Sequence, residues 1–348
     1  MKLGLPWNGN EVAREAEAAG FSAFCTGDFA DHDAYLNLVE MAHGVDGAEI
    51  GTAIAYAFAR TPYAHATAAR QVHRLAPGRV FLGFGSAAYR INRDWFSVSA
   101  DRPVARMKEL VGAVRAFLEA ENGDVVRFKG NFYDIEADIR APVLGRLDIP
   151  LLVAGFNAAM AAAAGEVSDG IVGHALFTTR WWNDIVRPAV DQGRARATHG
   201  RSQWREVGWV ITAIDDDDPD RAILDARRMI AFYLTVKTYD QFVHHHGWTE
   251  PVAAIRQAFA QRDTDAMTRA VTDEMLHSIA LAGTLEQARQ QWLARSDGLP
   301  RHTAFLAPPS YLVSKQRQAA YARASLRLRT VLSNDTAPLD RDARLPQT

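Results

Sequence analysis

The chain has 348 residues, 48% of them apolar and 23% charged, with a formal net charge of −2. That is ordinary globular composition with length enough for a large core, and it leaves no basic footprint for nucleic acid or an anionic membrane. The single cysteine, Cys25, cannot form a disulfide within the chain, which suits a reducing cytoplasm.

The N-terminus lacks an apolar signal-peptide core followed by a cleavage site. The longest uncharged run, Ile149 to Gly165, is broken by Pro150, Gly155 and Asn157. It reads as strand, turn and helix rather than as a membrane span.

In chain order, Lys2 to Leu5 is a short strand, and Glu11 to Ala19 a helix stopped by Gly20. Phe21 to Thr26 is a second strand, followed by an aspartate-rich loop and a helix over Ala34 to His43. Ile50 to Ala55 is a third strand, and a helix follows Pro62, whose fixed φ suits a first turn. Val80 to Phe84 is a fourth strand after the turn Pro77-Gly78. An irregular stretch, Gly85 to Arg102, leads to a helix over Pro103 to Glu121. Val125 to Tyr133 reads as a hairpin with Lys129-Gly130 near its tip.

Leu151 to Ala154 is a buried fifth barrel strand, and Asn157 caps an alanine-rich helix. Ile171 and Val172 mark a sixth strand, Val207 to Ile214 a seventh, and Asp218 to Tyr233 a helix. Residues 234–283 read as an all-helical excursion. Thr303 to Leu306 is the eighth strand, Ser314 to Arg329 the last helix, and Asn334 to Thr348 a mobile polar tail. Eight strands alternating with helices imply a parallel sheet with right-handed crossovers. A (β/α)8 barrel fits the count better than an open doubly wound sheet. It makes residues 1–333 one domain, with insertions near 122–148 and 234–283.

Several segments then carry a family resemblance in order and spacing. GTAIAYAFARTP (Gly51 to Pro62) and RLAPGRVFLGFGSA (Arg74 to Ala87) resemble the third and fourth strand units of the bacterial luciferase-like superfamily. PVARMKELVGAVRAF (Pro103 to Phe117), VRFKGNFY (Val126 to Tyr133), IPLLVAGFNAAMAAAAGEVSDGIV (Ile149 to Val172) and LAGTLEQARQQW (Leu281 to Trp292) resemble its later units. IAFYLTVKTYDQFVHHHGW (Ile230 to Trp248) is similar to a branch that uses the deazaflavin coenzyme F420. The resemblance implies a (β/α)8 barrel and hydride transfer between F420 and a small organic substrate. It also allows a homodimer, since members often form dimers.

In (β/α)8 barrels chemistry sits at the C-terminal ends of the strands, which selects the candidates. After the second strand, Asp28 matches an acid of many relatives, but Phe29 stands where they have histidine. His32 and Asp33 resemble a His-Asp pair of the closer branch, and a loop histidine can give a hydrogen bond or a proton near neutral pH. After the third strand, the resemblance implies a cis peptide between Ala53 and Ile54 behind the cofactor ring. After the fourth, Gly85 lets backbone approach a ligand and Ser86 can bond to it. Flavin-using relatives often carry arginine here, so its absence favours the deazaflavin. Some F420 relatives have a glutamate near Ala88, which this chain lacks. Tyr89, Arg90 and Arg93 are nearby polar candidates.

After the fifth strand, Gly155, Phe156, Asn157 and Ala158 open a helix whose free N–H groups suit an anion. The resemblance puts the cofactor phosphate there. After the sixth, His174 is placed toward the mouth as a proton donor, with Thr178 and Thr179 following. His244 to His246 cannot converge on one metal, because adjacent side chains diverge. Asp215 to Asp218 reads as a solvated turn with a helix cap, Trp181-Trp182 as packing and Cys25 as a buried filler. Two other functions stay open. One is an FMN-dependent monooxygenase. The other is a barrel that binds a ligand or partner without turnover, since Phe29 and Ala88 have replaced ionisable groups.

Overall fold

Alternation of short apolar strands with capped helices closes the chain into a ring. The computed structural model describes residues 1–99, 101–140, 142–197 and 203–335. Its strands are β1 (Lys2–Pro6), β2 (Ala23–Thr26), β3 (Glu49–Tyr56), β4 (Val80–Gly85), β5 (Val125–Lys129), β6 (Asp134–Asp138), β7 (Leu151–Ala154), β8 (Gly170–Gly173), β9 (Arg205–Ile214), β10 (Ala280–Gly283) and β11 (Thr303–Ala307). Eight of them pair in parallel in the order β1-β2-β3-β4-β7-β8-β9-β11, and β11 closes on β1 with Thr303 beside Lys2. This is the expected (β/α)8 barrel.

Local chemistry starts the helices. Thr61, Asn157, Asp218 and Thr284 each accept a first-turn N–H with the side chain, and Pro62, Pro103 and Pro219 occupy first-turn positions. One cluster of buried apolar side chains runs from Leu3 to Leu328, between strands and outer helices. A second fills the barrel: Ala23, Cys25, Ala53, Phe81, Leu152, Val172, Val207 and Phe305. The rings of Phe81 and Phe305 stack with centroids 6.3 Å apart. A Cβ on Gly51 would lie 2.4 Å from the Phe81 ring. The barrel floor is therefore two aromatic rings against small residues, and the space above them opens at the strands' C-terminal ends.

The structure corrects several expectations. The hairpin's second strand is Asp134–Asp138, with Lys129 paired to Asp134, so the turn is residues 130–133 and the hairpin runs on past Tyr133 to Asp138. The stretch after β4 contains a short helix, Tyr89–Asp94. The excursion before the last barrel strand is not wholly helical. Its last four residues form β10, which pairs with the outer half of β9, where Ile211 pairs with Ala280 on one edge and Ala307 on the other. β8 pairs only with Arg205 to Gly208, so β10 continues the edge that β8 leaves. The final helix runs Lys315–Asp335 and takes in the start of the expected tail; residues 336–348 lie outside the described residues. Among the described residues no helix is long and apolar enough to cross a membrane.

Candidate active site at the barrel mouth

The strand-side alternation that fills the barrel also aims the mouth. Along β7 and β8, Leu152, Ala154 and Val172 face inward. With a period of two, Phe156 and His174, just past those strands, continue the inward series. β2 and β8 stand four places apart in the ring of eight, so the loops carrying Asp28 and His32 face the loop carrying His174 across the mouth.

Asp28 is not a free acid. Its side chain is 6% exposed and both oxygens are engaged. The N–H groups of Ala34 and Tyr56 donate at 2.8 and 2.7 Å, and Arg60 donates through both terminal nitrogens at 2.6 and 2.9 Å. The carboxylate ties the end of β2 to the end of β3. This corrects the expectation of a catalytic role: its lone pairs are committed to four donors. His32 and Asp33 make separate contacts. His32 bonds through Nδ1 to Asp31 at 2.6 Å, while Asp33 caps the helix Ala34–Gly44 and pairs with Arg60. Burial opposes the charge on Asp33, but Arg60 and the N–H groups of Leu36 and Tyr35 outweigh it and hold its carboxyl below the usual range. His32 itself is exposed beside Phe29, which is 59% exposed and packs edge-on to Trp95 at 6.2 Å.

The peptide joining Ala53 and Ile54 is cis. Ala53 is buried and Ile54 partly so. A Cβ on Gly85 would lie 2.7 Å from Ile54 Cδ1, and one on Gly27 only 3.4 Å from the Ile54 backbone. Two side-chain-free positions thus let Ile54 pack closely against the ends of β2 and β4. In the β4 loop, Asn92 is 2% exposed and donates through Nδ2 to the carbonyls of Ser86 and Ala88 at 2.7 and 3.1 Å. It shapes that loop, a role the sequence reading missed. Tyr89, Arg90 and Arg93 are exposed, and Arg93 pairs with Asp94, so the strand-end argument does not extend to them.

At β7, a Cβ on Gly155 would meet Ala161 N at 2.9 Å, so glycine lets the helix Ala158–Val167 fold back against the strand. Asn157 accepts from the Met160 N–H at 3.0 Å. Asn157, Ala158 and Ala159 are exposed, which presents the first-turn N–H groups to the mouth side. Phe156 is the hub of an aromatic cluster. Its ring centroid lies 4.5 Å from Tyr239, 5.2 Å from Phe177 and 5.4 Å from His174.

His174 is also corrected. Burial lowers its pKa to about 4, so at neutral pH it is an uncharged ring and no imidazolium donor. Its Nδ1 accepts the Leu176 N–H at 3.2 Å, and Nε2 lies 3.1 Å from the Tyr239 hydroxyl. Thr178 caps the next short helix and bonds His246 Nε2 at 2.8 Å. His245 reaches Asp184 and His244 reaches Thr249, so the three histidines serve three separate contacts. Trp181 and Trp182 are each 2% exposed in the core, burial pushes the Cys25 thiol up, and Asp218 caps its helix.

Two cavities, of about 390 and 310 Å³, lie away from this mouth. Their lining includes Asp169, Trp204 and Glu206, at the N-terminal ends of β8 and β9. In this fold that end serves stability rather than chemistry.

A closed parallel barrel with aromatic and polar groups gathered over its C-terminal ends defines a (β/α)8 protein, a fold whose active sites lie at that mouth. The chain belongs to the luciferase-like monooxygenase family, which matches residues 8–302. It is 31% identical over 303 residues to an uncharacterised protein of Mycobacterium tuberculosis, covering 83% of this chain and 88% of that one. It is 26% identical over 286 residues to the 5,10-methylenetetrahydromethanopterin reductase of Methanolobus tindarius, covering 80% and 83%.

Among solved structures, the coenzyme F420 dependent tetrahydromethanopterin reductase from Methanopyrus kandleri has a TM-score of 0.76 at 18% identity, covering 92% of this chain and 97% of that one. The oxygenating constituent of 3,6-diketocamphane monooxygenase from Pseudomonas putida, in complex with FMN, has a TM-score of 0.61 at 14% identity, covering 93% and 96%. At those identities the two structures share the fold with this chain.

Proposed function

We propose that this protein is an oxidoreductase that uses coenzyme F420 to move a hydride to or from a small organic substrate at the barrel mouth. The observation that carries it is similarity over most of the chain to a putative coenzyme F420-dependent oxidoreductase of Mycobacterium tuberculosis, 25% identical over 324 residues, joined to an exposed helix start at the mouth that suits an anionic group. Gly27 and Gly85 let the Ala53–Ile54 corner pack closely against the ends of β2 and β4, a firm backing for the ring. The exposed first turn at Asn157 to Ala159 offers N–H donors and the positive end of a helix dipole for a phosphate. Gly85 and Ser86 supply backbone and a hydroxyl, with no arginine at those positions to pair a flavin phosphate.

When bound, the deazaflavin supplies two-electron hydride chemistry; the protein's part is to hold, orient and shield. In this reading Asp28 and Arg60 hold the β2 and β3 loops in place, and Phe156 forms an apolar wall. His32, exposed with its Nδ1 held by Asp31, is the group of the β2 loop free to exchange a proton through Nε2.

Side-by-side fluorescence titration of the apo protein with F420 and FMN tests the cofactor. F420 is expected to bind about tenfold tighter or better, a difference of ~1.4 kcal/mol. Equal or reversed affinities point to the monooxygenase reading, and binding of neither points to a barrel without turnover.

A further inference from the structure

The aromatic cluster over β7 and β8 contains two phenols that the family argument does not use. Tyr239 comes from the helical excursion and packs on Phe156 and His174, with centroids at 4.5 and 5.1 Å. Tyr233, at the end of the helix Pro219–Leu234, stands edge-on to the other side of His174 at 4.7 Å. Both are partly buried.

The hydrogen bonds of His174 settle which hydrogens are spare. A backbone N–H only donates, so the nitrogen facing Leu176, Nδ1, is the unprotonated one. In the neutral ring Nε2 then carries the hydrogen and donates it to the Tyr239 oxygen at 3.1 Å. That leaves the phenolic hydrogen of Tyr239 without a protein acceptor among the described residues. The Tyr233 hydroxyl likewise makes no hydrogen bond to the described residues, and it is not among their fully enclosed orphan atoms.

We infer that Tyr233 and Tyr239 present these two hydrogens to one oxygen of the substrate, a carbonyl or an oxyanion, with His174 as the positioning residue that orients Tyr239. The inference rests on the mouth being the active site, and it deepens that reading by naming a substrate class. The side chains that ring contacts and hydrogen bonds bring to the two phenols are His174, Phe156 and Phe232, with no lysine or arginine among them. Two neutral donors in an aromatic setting suit a ketone, aldehyde, enolate or phenolate oxygen; a phosphate calls for cations. Burial raises the Tyr233 pKa to about 12 and that of Tyr239 further, so both hydroxyls stay protonated donors at neutral pH. Donors fixed in a water-poor site stabilise developing charge on oxygen more than water does.

The test uses 4-nitrophenol, whose phenolate absorption moves to shorter wavelength when its oxygen accepts hydrogen bonds. Titrated into the full-length apo protein, the probe is expected to bind with that shift. Tyr239→Phe and Tyr233→Phe each weaken its binding about tenfold or more, and His174→Phe moves the bound band to longer wavelength than in the parent complex. F420 affinity, read by fluorescence, stays within about twofold in all three. Thermal melts confirm that each variant is folded; if Tyr239→Phe is not, Tyr233→Phe carries the comparison.

No probe binding to the parent protein, or binding by both phenylalanine variants as tight as the parent's, overturns the inference. So does loss of F420 affinity with the probe unaffected, which would assign the phenols to the cofactor ring. A parent protein that binds the probe through both phenols but not F420 overturns the cofactor reading and leaves the oxygen site standing.

Discussion

Arg60 holds Asp28 in a two-pronged grip, Nη1 to Oδ2 at 2.6 Å and Nη2 to Oδ1 at 2.9 Å, and so locks the end of β3 to the end of β2. The same arginine bonds Asp33, the cap of the next helix. Its stem therefore fixes three segments around the Ala53–Ile54 corner.

Asp28→Ala leaves Arg60 with Asp33 alone and takes the acceptor from the Ala34 and Tyr56 N–H groups. It is expected to lower stability by about 3–5 kcal/mol, the usual cost of breaking a buried ion pair. Arg60→Lys keeps the charge but loses the fork, and is expected to cost about 1.5–3 kcal/mol. Urea unfolding of both variants measures this. A cost near zero for Asp28→Ala would show that the grip is not structural.

His65 is fully buried, with Nδ1 at 2.7 Å from the Tyr35 hydroxyl and Nε2 at 3.1 Å from the Ala57 carbonyl. The carbonyl takes the Nε2 hydrogen, and Tyr35 donates to Nδ1, so the ring is fixed neutral. Burial lowers its pKa to about 4 against an ordinary 6.5. A histidine depressed in the folded state adds stability that is fully present above pH ~6.5 and is lost as pH falls toward ~4. The loss is on the order of 3 kcal/mol at ~1.36 kcal/mol per pH unit. His65→Leu is expected to be less stable at neutral pH, yet with a flatter decline between those limits. Urea midpoints across that range decide it; parallel curves would refute the assignment.

His32 differs from His174 in being exposed and in having one ring nitrogen held by Asp31 at 2.6 Å. If it exchanges the substrate proton, His32→Ala lowers kcat about 10²–10⁴-fold, the usual worth of general acid catalysis. Cofactor affinity is expected to hold, because the ring and phosphate positions proposed above lie at β3, β4 and β7. Steady-state kinetics on a confirmed substrate beside an F420 titration checks both halves. An unchanged kcat leaves proton exchange to solvent.

The strands were legible because each is a short apolar run between turn residues, and the barrel because eight such runs alternate with capped helices. β10 was not legible. Ala280 to Gly283 is a run of only four residues, Ala-Leu-Ala-Gly, directly after a helix, and only the free upper edge of β9 makes it a strand. The stop of the hairpin was misplaced for a similar reason. Asp134–Asp138 has polar residues on its outer positions, and its pairing with Val125–Lys129 was set by register rather than by composition.

At the site, the sequence by itself determined which loops reach the mouth, the glycine that ends the fourth strand and the capped helix at Asn157. Those follow from local spacing and from strand-end position. Which titratable groups are free was decided only by tertiary structure. Asp28 and Asp33 read alike as loop acids until Arg60, some thirty residues away, occupies them both. His174 read as a proton donor until burial and the Leu176 N–H made it a neutral ring pointing its hydrogen at Tyr239. Hydrogen-bond partners and desolvation depend on what the fold brings near, and a residue's neighbours in sequence carry no record of that.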